Sequence, residues 1–187
     1  QSNLPPLPKP CADRTQEILK IQGALNNARF LWIYGSTGYG KTTLANLYAR
    51  QKLSTGLWFR LRNYSDFTLM SALQKIHIII SARLKDIDII VLDDLVIIEQ
   101  QTYAIELLST ILDNVKKSSA KIIITSQYSL PSRLKAQIGD ESFEYVAPEM
   151  SEADITLLLN SSGLDDDKLI RFWSTYILAS TSGHPQL

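Results

Sequence analysis

A nine-residue segment combines a glycine-rich loop with a lysine and hydroxyl side chains at a spacing suited to phosphate chemistry. Its residues are Gly35, Ser36, Thr37, Gly38, Tyr39, Gly40, Lys41, Thr42 and Thr43. Glycine lets backbone amides turn toward a phosphate without a clash from Cβ, and a helix that follows presents its positive N-terminus. Lys41 would reach the β- and γ-phosphates, and the Thr42 hydroxyl would ligate Mg²⁺. The spacing G-x-x-x-x-G-K-T therefore predicts a phosphate-binding loop.

Two adjacent carboxylates, Asp93 and Asp94, follow a run of apolar residues of strand length at 89–92. Side chains at the carboxyl end of a parallel strand face the crevice where ligands bind. We expect Asp93 to hold Mg²⁺ through water, and Asp94 to orient or deprotonate an attacking water. Thr42 and Asp93 are therefore the predicted metal site.

A third apolar run, residues 122–124, ends in Thr125, Ser126 and Gln127. A polar group at such a position can sense a γ-phosphate or the attacking water. Gln127 is the expected reader, Ser126 is the alternative, and a strand end without a role stays open. The candidate catalytic residues are therefore Lys41, Asp94 and Gln127.

Apolar runs of strand length alternate with helical patterns between these motifs. The pattern predicts strands at 29–34, 56–62, 88–92, 121–125 and 143–146, and helices at 13–26, 41–53, 67–84 and 102–117. Continuous apolarity is typical of parallel strands that are buried on both faces. The alternation indicates βαβ units, with a parallel sheet between helical layers. The β-branched stretch 76–80 leaves a strand open as an alternative within the third helix.

The two ends of the chain differ from this pattern. Residues 1–3 resemble the remnant of a cleavable tag, and residues 4–10 hold four prolines in seven, which favours an extended lead-in. Helices are predicted at 151–160 and 165–180. Residues 1–139 carry 17 basic and 10 acidic side chains, whereas residues 140–187 carry 2 and 9. We expect a lead-in at 1–10, a core at 11–148 and a helical lid at 149–187.

Composition excludes several classes of protein. One cysteine, Cys11, cannot form an intramolecular disulfide, and together with two histidines it argues against a zinc site. No uncharged apolar run approaches the roughly 18 residues of a membrane-spanning helix, and no signal-peptide pattern is present. The zero net charge argues against a general nucleic-acid binder. We expect a soluble, cytoplasmic protein without a membrane partner.

The motifs together resemble the STAND NTPases, signalling ATPases related to NB-ARC and NACHT modules and to the AAA+ group. Residues 13–18 (DRTQEI) resemble the family's opening motif, 38–45 (GYGKTTLA) its phosphate loop, 91–95 (VLDDL) its acidic strand and 183–185 (GHP) its G-x-P motif. The resemblance covers almost the whole chain and implies that Arg14 lies near the nucleotide and that Pro185 packs on the adenine. Two departures are Asp13, where the family has glycine, and Gln127, where it often has arginine.

The resemblance implies a three-layer α/β/α P-loop NTPase core, for which we expect a five-stranded parallel sheet in the order 2-3-1-4-5, and a small C-terminal helical lid. It also implies a slow, Mg²⁺-dependent ATPase that acts as a nucleotide-dependent conformational switch with ATP or ADP. Further domains of a longer parent protein and nucleotide-dependent homo-oligomers would be its partners. The main alternative is an AAA+ ATPase acting on DNA, such as a helicase loader or transposition regulator. A small-molecule or nucleotide kinase is a third alternative.

Overall fold

The computed structural model describes residues 4–52 and 55–184. One parallel sheet contains the strands β1 (Phe30–Tyr34), β2 (Gly56–Arg60), β3 (Ile89–Asp93), β4 (Lys121–Ser126) and β5 (Ser142–Val146). The helices are α1 (Thr15–Asn27), α2 (Lys41–Gln51), α3 (Asp66–Arg83), α4 (Thr102–Lys116), α5 (Ser132–Ile138), α6 (Glu152–Ser161) and α7 (Asp167–Thr181). Within these described ranges, no helix is both long and apolar enough to cross a membrane.

The strands lie side by side in the order β2-β3-β4-β1-β5, and every neighbouring pair is parallel. The predicted five-stranded parallel sheet is confirmed. The predicted order 2-3-1-4-5 is wrong in one respect, because β1 and β4 exchange places. β4, rather than β1, lies beside β3, because α4 links these consecutive strands directly and consecutive strands usually become neighbours. The sequence could not show which of β1 and β4 lies nearer the centre of the sheet, because both strands are apolar along nearly their whole length.

The strands bury side chains on both faces of the sheet, which completes the predicted α/β/α layers. Along β1, Leu31 and Ile33 pack with α1 and α2, while Phe30 and Trp32 pack with α3 and α4. Successive strand residues point to opposite faces. A strand covered by helices on both sides therefore needs the continuous apolar run that the sequence contains.

Helix α3 includes the β-branched stretch 76–80, so the helical reading of this segment is the correct one. Leu69, Leu73, Ile76 and Ile80 are buried at helical spacing, and the Ser65 hydroxyl accepts from the Thr68 N–H at the first turn. Packing of this apolar stripe outweighs the modest β preference of the isoleucines.

The C-terminal helices α6 and α7 pack on each other through a small apolar cluster of their own. Its buried members are Ala12, Met150 and Ile155. Ser151 caps the start of α6 in a reciprocal capping box with Asp154. This cluster joins the two helices to the segment after the proline-rich lead-in, because Ala12 belongs to that segment.

Gly183 ties the end of α7 to the start of this helical pair. Its carbonyl accepts from the Met150 N–H at 2.8 Å, and its φ is +74°. A Cβ at this position would lie 2.5 Å from the Met150 carbonyl oxygen. Both the backbone conformation and the close approach therefore require glycine. The predicted adenine contact Pro185 and the tag-like residues 1–3 lie outside the described residues.

Candidate functional site

The glycine-rich loop connects β1 to α2 and turns through three glycines with positive φ. These angles are 146° at Gly35, 93° at Gly38 and 73° at Gly40. No described atom lies within 4 Å of a Cβ built at Gly40, so its backbone angle, rather than crowding, favours glycine there. Helix α2 begins at Lys41, which places the helix N-terminus and its free N–H groups at the loop.

The Lys41 ammonium folds back onto this loop. Its Nζ donates to the Gly35 carbonyl at 2.8 Å and to the Ser36 carbonyl at 2.7 Å. Burial lowers the pKa of Lys41, while the carboxylates of Asp94 and Asp93 act in the opposite direction. A phosphate oxygen would be a stronger acceptor for this ammonium than neutral carbonyls are.

Asp93 lies at the end of β3 and is buried, with 1% of its surface exposed. Its Oδ1 accepts from the Thr42 hydroxyl at 2.7 Å and from the Thr125 hydroxyl at 2.8 Å. Its Oδ2 lies 3.9 Å from Arg60 Nε. The structure thus brings together Thr42 and Asp93, the two predicted metal-site residues, and adds Thr125.

Asp94 adopts the left-handed conformation, with φ 60°. Its N–H donates to the Thr125 hydroxyl at 2.7 Å, and its Oδ2 lies 3.4 Å from Arg62 Nε. Aspartate tolerates this backbone region better than most residues do. The turn places the second carboxylate on the same cavity as Lys41.

Gln127 follows β4 and reaches the glycine-rich loop. Its Nε2 donates to Thr37 Oγ1 at 3.1 Å. Ser126 is fully buried and its hydroxyl accepts from the N–H of Tyr128, two residues further along the chain. Of the two alternatives at this strand end, the structure therefore places Gln127 at the loop.

Arg14 precedes α1, is 5% exposed and lies at the wall of the same cavity. One Nη donates to the Pro148 carbonyl at 2.9 Å, and Nε lies 3.6 Å from the Glu17 carboxylate. Among the described residues, this buried Nε has no hydrogen-bond partner. Arg14 therefore lies beside the cavity, and its contact with a nucleotide stays a prediction.

The cavity has a volume of about 380 Å³, within the range of roughly 300 to 1,000 Å³ typical of small-molecule sites. The polar part of its lining comes from the glycine-rich loop and the start of α2, together with Arg62 and Asp94. The loop and helix residues are Thr37, Gly38, Gly40, Lys41, Thr42 and Thr43. Its apolar part is formed by Pro8, Pro10, Ala12, Leu44, Met150 and Leu158. The lead-in, the core and α6 therefore all contribute to one site.

The end of the chain contacts the glycine-rich loop directly. The Nε2 of His184 lies 3.1 Å from the Thr37 carbonyl oxygen, and its ring meets the Tyr39 ring edge-on at 4.9 Å. The Tyr39 hydroxyl lies 3.5 Å from a carboxylate oxygen of Glu149. The loop and the C-terminal helices are thus joined beside the cavity.

From the sequence, no role was predicted for Thr125 or for Arg62. Strand register would have found the first: Leu92 pairs with Ile124, so the next residues, Asp93 and Thr125, are neighbours. Arg62 lies just past the edge strand β2, and no pattern in its neighbourhood distinguished it from other surface arginines.

The residues present suit a magnesium nucleotide. A loop with open backbone angles, a lysine held at its rim, and a buried carboxylate already bonded to the Thr42 hydroxyl match the donor set that P-loop sites use. Mg²⁺ prefers oxygen ligands such as Thr42 and Asp93 offer.

Comparisons with solved structures place this fold among the STAND and AAA+ NTPases. A STAND protein with a tetratricopeptide repeat sensor from Pyrococcus horikoshii matches 99% of the chain at 17% identity and a TM-score of 0.66, and the chain spans 30% of that protein. Replication initiator DnaA bound to AMPPCP and single-stranded DNA matches 87% of the chain at 19% identity, over 56% of its own length, with a TM-score of 0.57. Domain III of Thermotoga maritima DnaA matches 90% at 14% identity, over 77% of its length, with a TM-score of 0.57.

At these identities, the likeness to solved structures is one of fold. No curated protein matches the chain. The family model described as Novel STAND NTPase 3 matches residues 14–168, a range that runs from Arg14 through the glycine-rich loop, the acidic pair and Gln127. The chain therefore belongs to this family of STAND-type P-loop NTPases.

Proposed function

We propose that this chain is the nucleotide-binding core of a conformational switch that binds ATP or ADP with Mg²⁺ and hydrolyses ATP slowly. The observation that carries the proposal is the contact between His184 Nε2 and the Thr37 carbonyl at 3.1 Å. Through it, the segment after α7 touches the loop that would hold the phosphates. A change at the phosphates would therefore reach the C-terminal helices through this contact and through the contacts of Tyr39 with His184 and Glu149.

The phosphate end has the groups that binding requires. Lys41 would exchange its loop carbonyls for phosphate oxygens, and Thr42 with Asp93 would hold the metal. Mg²⁺, when bound with a nucleotide, neutralises charge on the β- and γ-phosphates. The free N–H groups at the start of α2 would add favourable interactions with the anion.

The hydrolytic groups favour a slow reaction. Asp94 would orient or deprotonate the attacking water, and Gln127 would contribute an amide beside Thr37. An amide supplies no positive charge to the transition state, whereas arginines at comparable positions contribute large rate factors. We therefore expect low turnover in the isolated chain.

The apolar part of the cavity would hold the base. Ala12, Leu44, Met150 and Leu158 form walls suited to a flat heterocycle. The sequence has no N-K-x-D motif, which guanine-specific NTPases commonly use, so we propose adenine. Met150 and Leu158 belong to the proposed lid at 149–187, and lid opening would therefore weaken base binding.

In the proposed cycle, ADP keeps the lid closed on the core at 11–148, and exchange for ATP lets the lid rotate and the parent protein oligomerise. The STAND protein compared above carries a tetratricopeptide repeat sensor, and we propose that this chain likewise belongs to a longer protein. The alternative of a DNA-acting ATPase rests on the fold likeness to DnaA and on the acidic pair and Thr125-Ser126, which that class shares, so the switch is the function that we propose.

The release rate of a fluorescent ADP analogue tests the switch. We expect His184→Ala to release the analogue faster than the wild type, because the lid loses its contact with the loop. Ser180→Ala is the matched control, since the Ser180 hydroxyl bonds to carbonyls of its own helix. Equal release rates from His184→Ala and the wild type would contradict the proposed coupling.

A further inference from the structure

Arg62 is a cation of the cavity wall that the family motifs leave without a role. It follows the edge strand β2, and its Nε lies 3.4 Å from Asp94 Oδ2. The Arg62 side chain is 63% exposed. Arg62 lines the same cavity as Lys41 and Thr42 and belongs to its polar part.

The ion pair with Asp94 does not explain this position through stability. Exposed ion pairs contribute little to the free energy of unfolding. Asp94 also keeps its place through the backbone, because its N–H is bonded to the Thr125 hydroxyl. The next N–H, that of Leu95, donates to the Thr125 carbonyl at 2.8 Å. Arg62 is therefore not needed to hold the backbone at Asp94.

The other cations of the cavity wall are more firmly engaged. Arg14 is buried, with an Nη bonded to the Pro148 carbonyl and with Glu17 nearby. Lys41 is buried and bonded to two loop carbonyls. Arg62 is mostly exposed and faces a carboxylate, so it can exchange partners at little cost in buried contacts.

Gln127 leaves the end of β4 without a positive charge. Its amide already bonds to Thr37 Oγ1. A terminal phosphate bound near Lys41 and Thr42 would lie close to the Asp94 carboxylate, which lines the same cavity, and to Asp93, which is bonded to Thr42. Because like charges repel, a cation close to Asp94 would favour binding of a triphosphate, in addition to Lys41 and the proposed Mg²⁺.

We propose that Arg62 exchanges the Asp94 carboxylate for the terminal phosphate of a bound nucleoside triphosphate, and so distinguishes ATP from ADP. This inference rests on the proposed function. The planar guanidinium can donate two parallel hydrogen bonds to a phosphate. The same exchange leaves the Asp94 carboxylate available to a water. ADP offers no terminal phosphate at this position and leaves the Arg62–Asp94 pair intact.

The test compares the affinities for ADP and for a nonhydrolysable ATP analogue by calorimetry, both with Mg²⁺. Arg62→Gln is expected to weaken binding of the analogue about tenfold or more, because one charge-assisted contact is lost. ADP affinity is expected to stay within about twofold of the wild type. Arg62→Lys keeps the positive charge but lacks the planar guanidinium. Its affinity for the analogue is expected to lie between those of the wild type and Arg62→Gln.

Arg83→Gln is the control. Arg83 is an exposed arginine at the end of α3 and does not line the cavity. Its substitution is expected to leave the ratio of the two affinities unchanged. An Arg62→Gln variant that weakens both ligands equally, or neither, would overturn the inference. A wild-type chain that binds neither ligand would instead contradict the proposed function.

Discussion

Thr42 at the start of α2 and Asp93 at the end of β3 are joined by a hydrogen bond of 2.7 Å from the threonine hydroxyl to Oδ1 of the carboxylate. The same oxygen accepts from the Thr125 hydroxyl at 2.8 Å. Asp93 is 1% exposed, and a carboxylate buried this deeply needs such partners. These hydrogen bonds therefore fix the start of α2, the acidic strand and β4 relative to one another.

Asp93→Asn tests the metal site. In the wild type, chelating Mg²⁺ should weaken binding of an ATP analogue, because the metal neutralises phosphate charge. In the variant, binding with Mg²⁺ should fall about tenfold, toward the chelated level, since a neutral amide is a poor ligand for Mg²⁺. Asp88→Asn is the control, because Asp88 lies just before the opposite end of the same strand and accepts from the Thr55 N–H. Full Mg²⁺ dependence in Asp93→Asn would exclude the assigned ligand.

Asp94→Asn separates binding from hydrolysis. The variant should bind ATP at least as well as the wild type, because it removes a negative charge from the cavity wall. Turnover should fall about 100-fold or more, the usual contribution of a general base. Phosphate release under saturating ATP measures this. Unchanged turnover would show that another group activates the water.

Gly183→Ala tests the junction between α7 and the start of α6. The left-handed backbone should cost roughly 1–2 kcal/mol of unfolding free energy, and the close approach to the Met150 carbonyl about 1 kcal/mol more. Gly163→Ala is the matched control, because φ is +91° there and no described atom lies within 4 Å of its added Cβ. Denaturant unfolding measures both. If the two variants lose the same unfolding free energy, the close approach to the Met150 carbonyl has no effect on stability.

Asn46 holds the proline-rich lead-in against α2. Its buried amide donates to the Pro5 carbonyl at 2.8 Å, and Arg50 donates to the same oxygen. Asn46→Ala should loosen the segment that lines the cavity. Cys11, the single cysteine, reports this, because burial raises the pKa of its thiol and should slow its reaction with a disulfide reagent.

The rate of Cys11 modification should therefore rise several-fold in Asn46→Ala, and nucleotide affinity should fall with it. Asn114→Ala is the control, because Asn114 bonds to His77 and Ser81 on α3, within a different pair of helices. If Cys11 reacts at the wild-type rate in Asn46→Ala, the lead-in does not depend on this contact.

Motif spacing and strand periodicity were enough to predict the layers, the strands and the groups around the phosphate loop. Thr42 and Asp93 meet because a loop before a helix and a residue ending a strand both lie at the carboxyl edge of a parallel sheet. Their contact follows from topology, even though 51 positions separate them.

The sequence could not predict the order of β1 and β4, because both strands are buried and apolar. Helix α5 was also missed: its seven residues are too few for a periodic pattern, and the Ser132 and Arg133 N–H groups at its start are capped by Glu99, more than 30 positions earlier. Likewise, the neighbours of Arg62 are set by tertiary packing and leave no local signal.

The most direct test of the central claim is the nucleotide content of the freshly purified protein, released by denaturation and resolved by chromatography. We predict a nearly stoichiometric amount of adenine nucleotide, mainly ADP, in the wild type and its loss in Lys41→Ala. Lys52→Ala is the control and should keep the nucleotide. A wild-type protein that holds no nucleotide and binds neither ATP nor ADP when they are added with Mg²⁺ would contradict it.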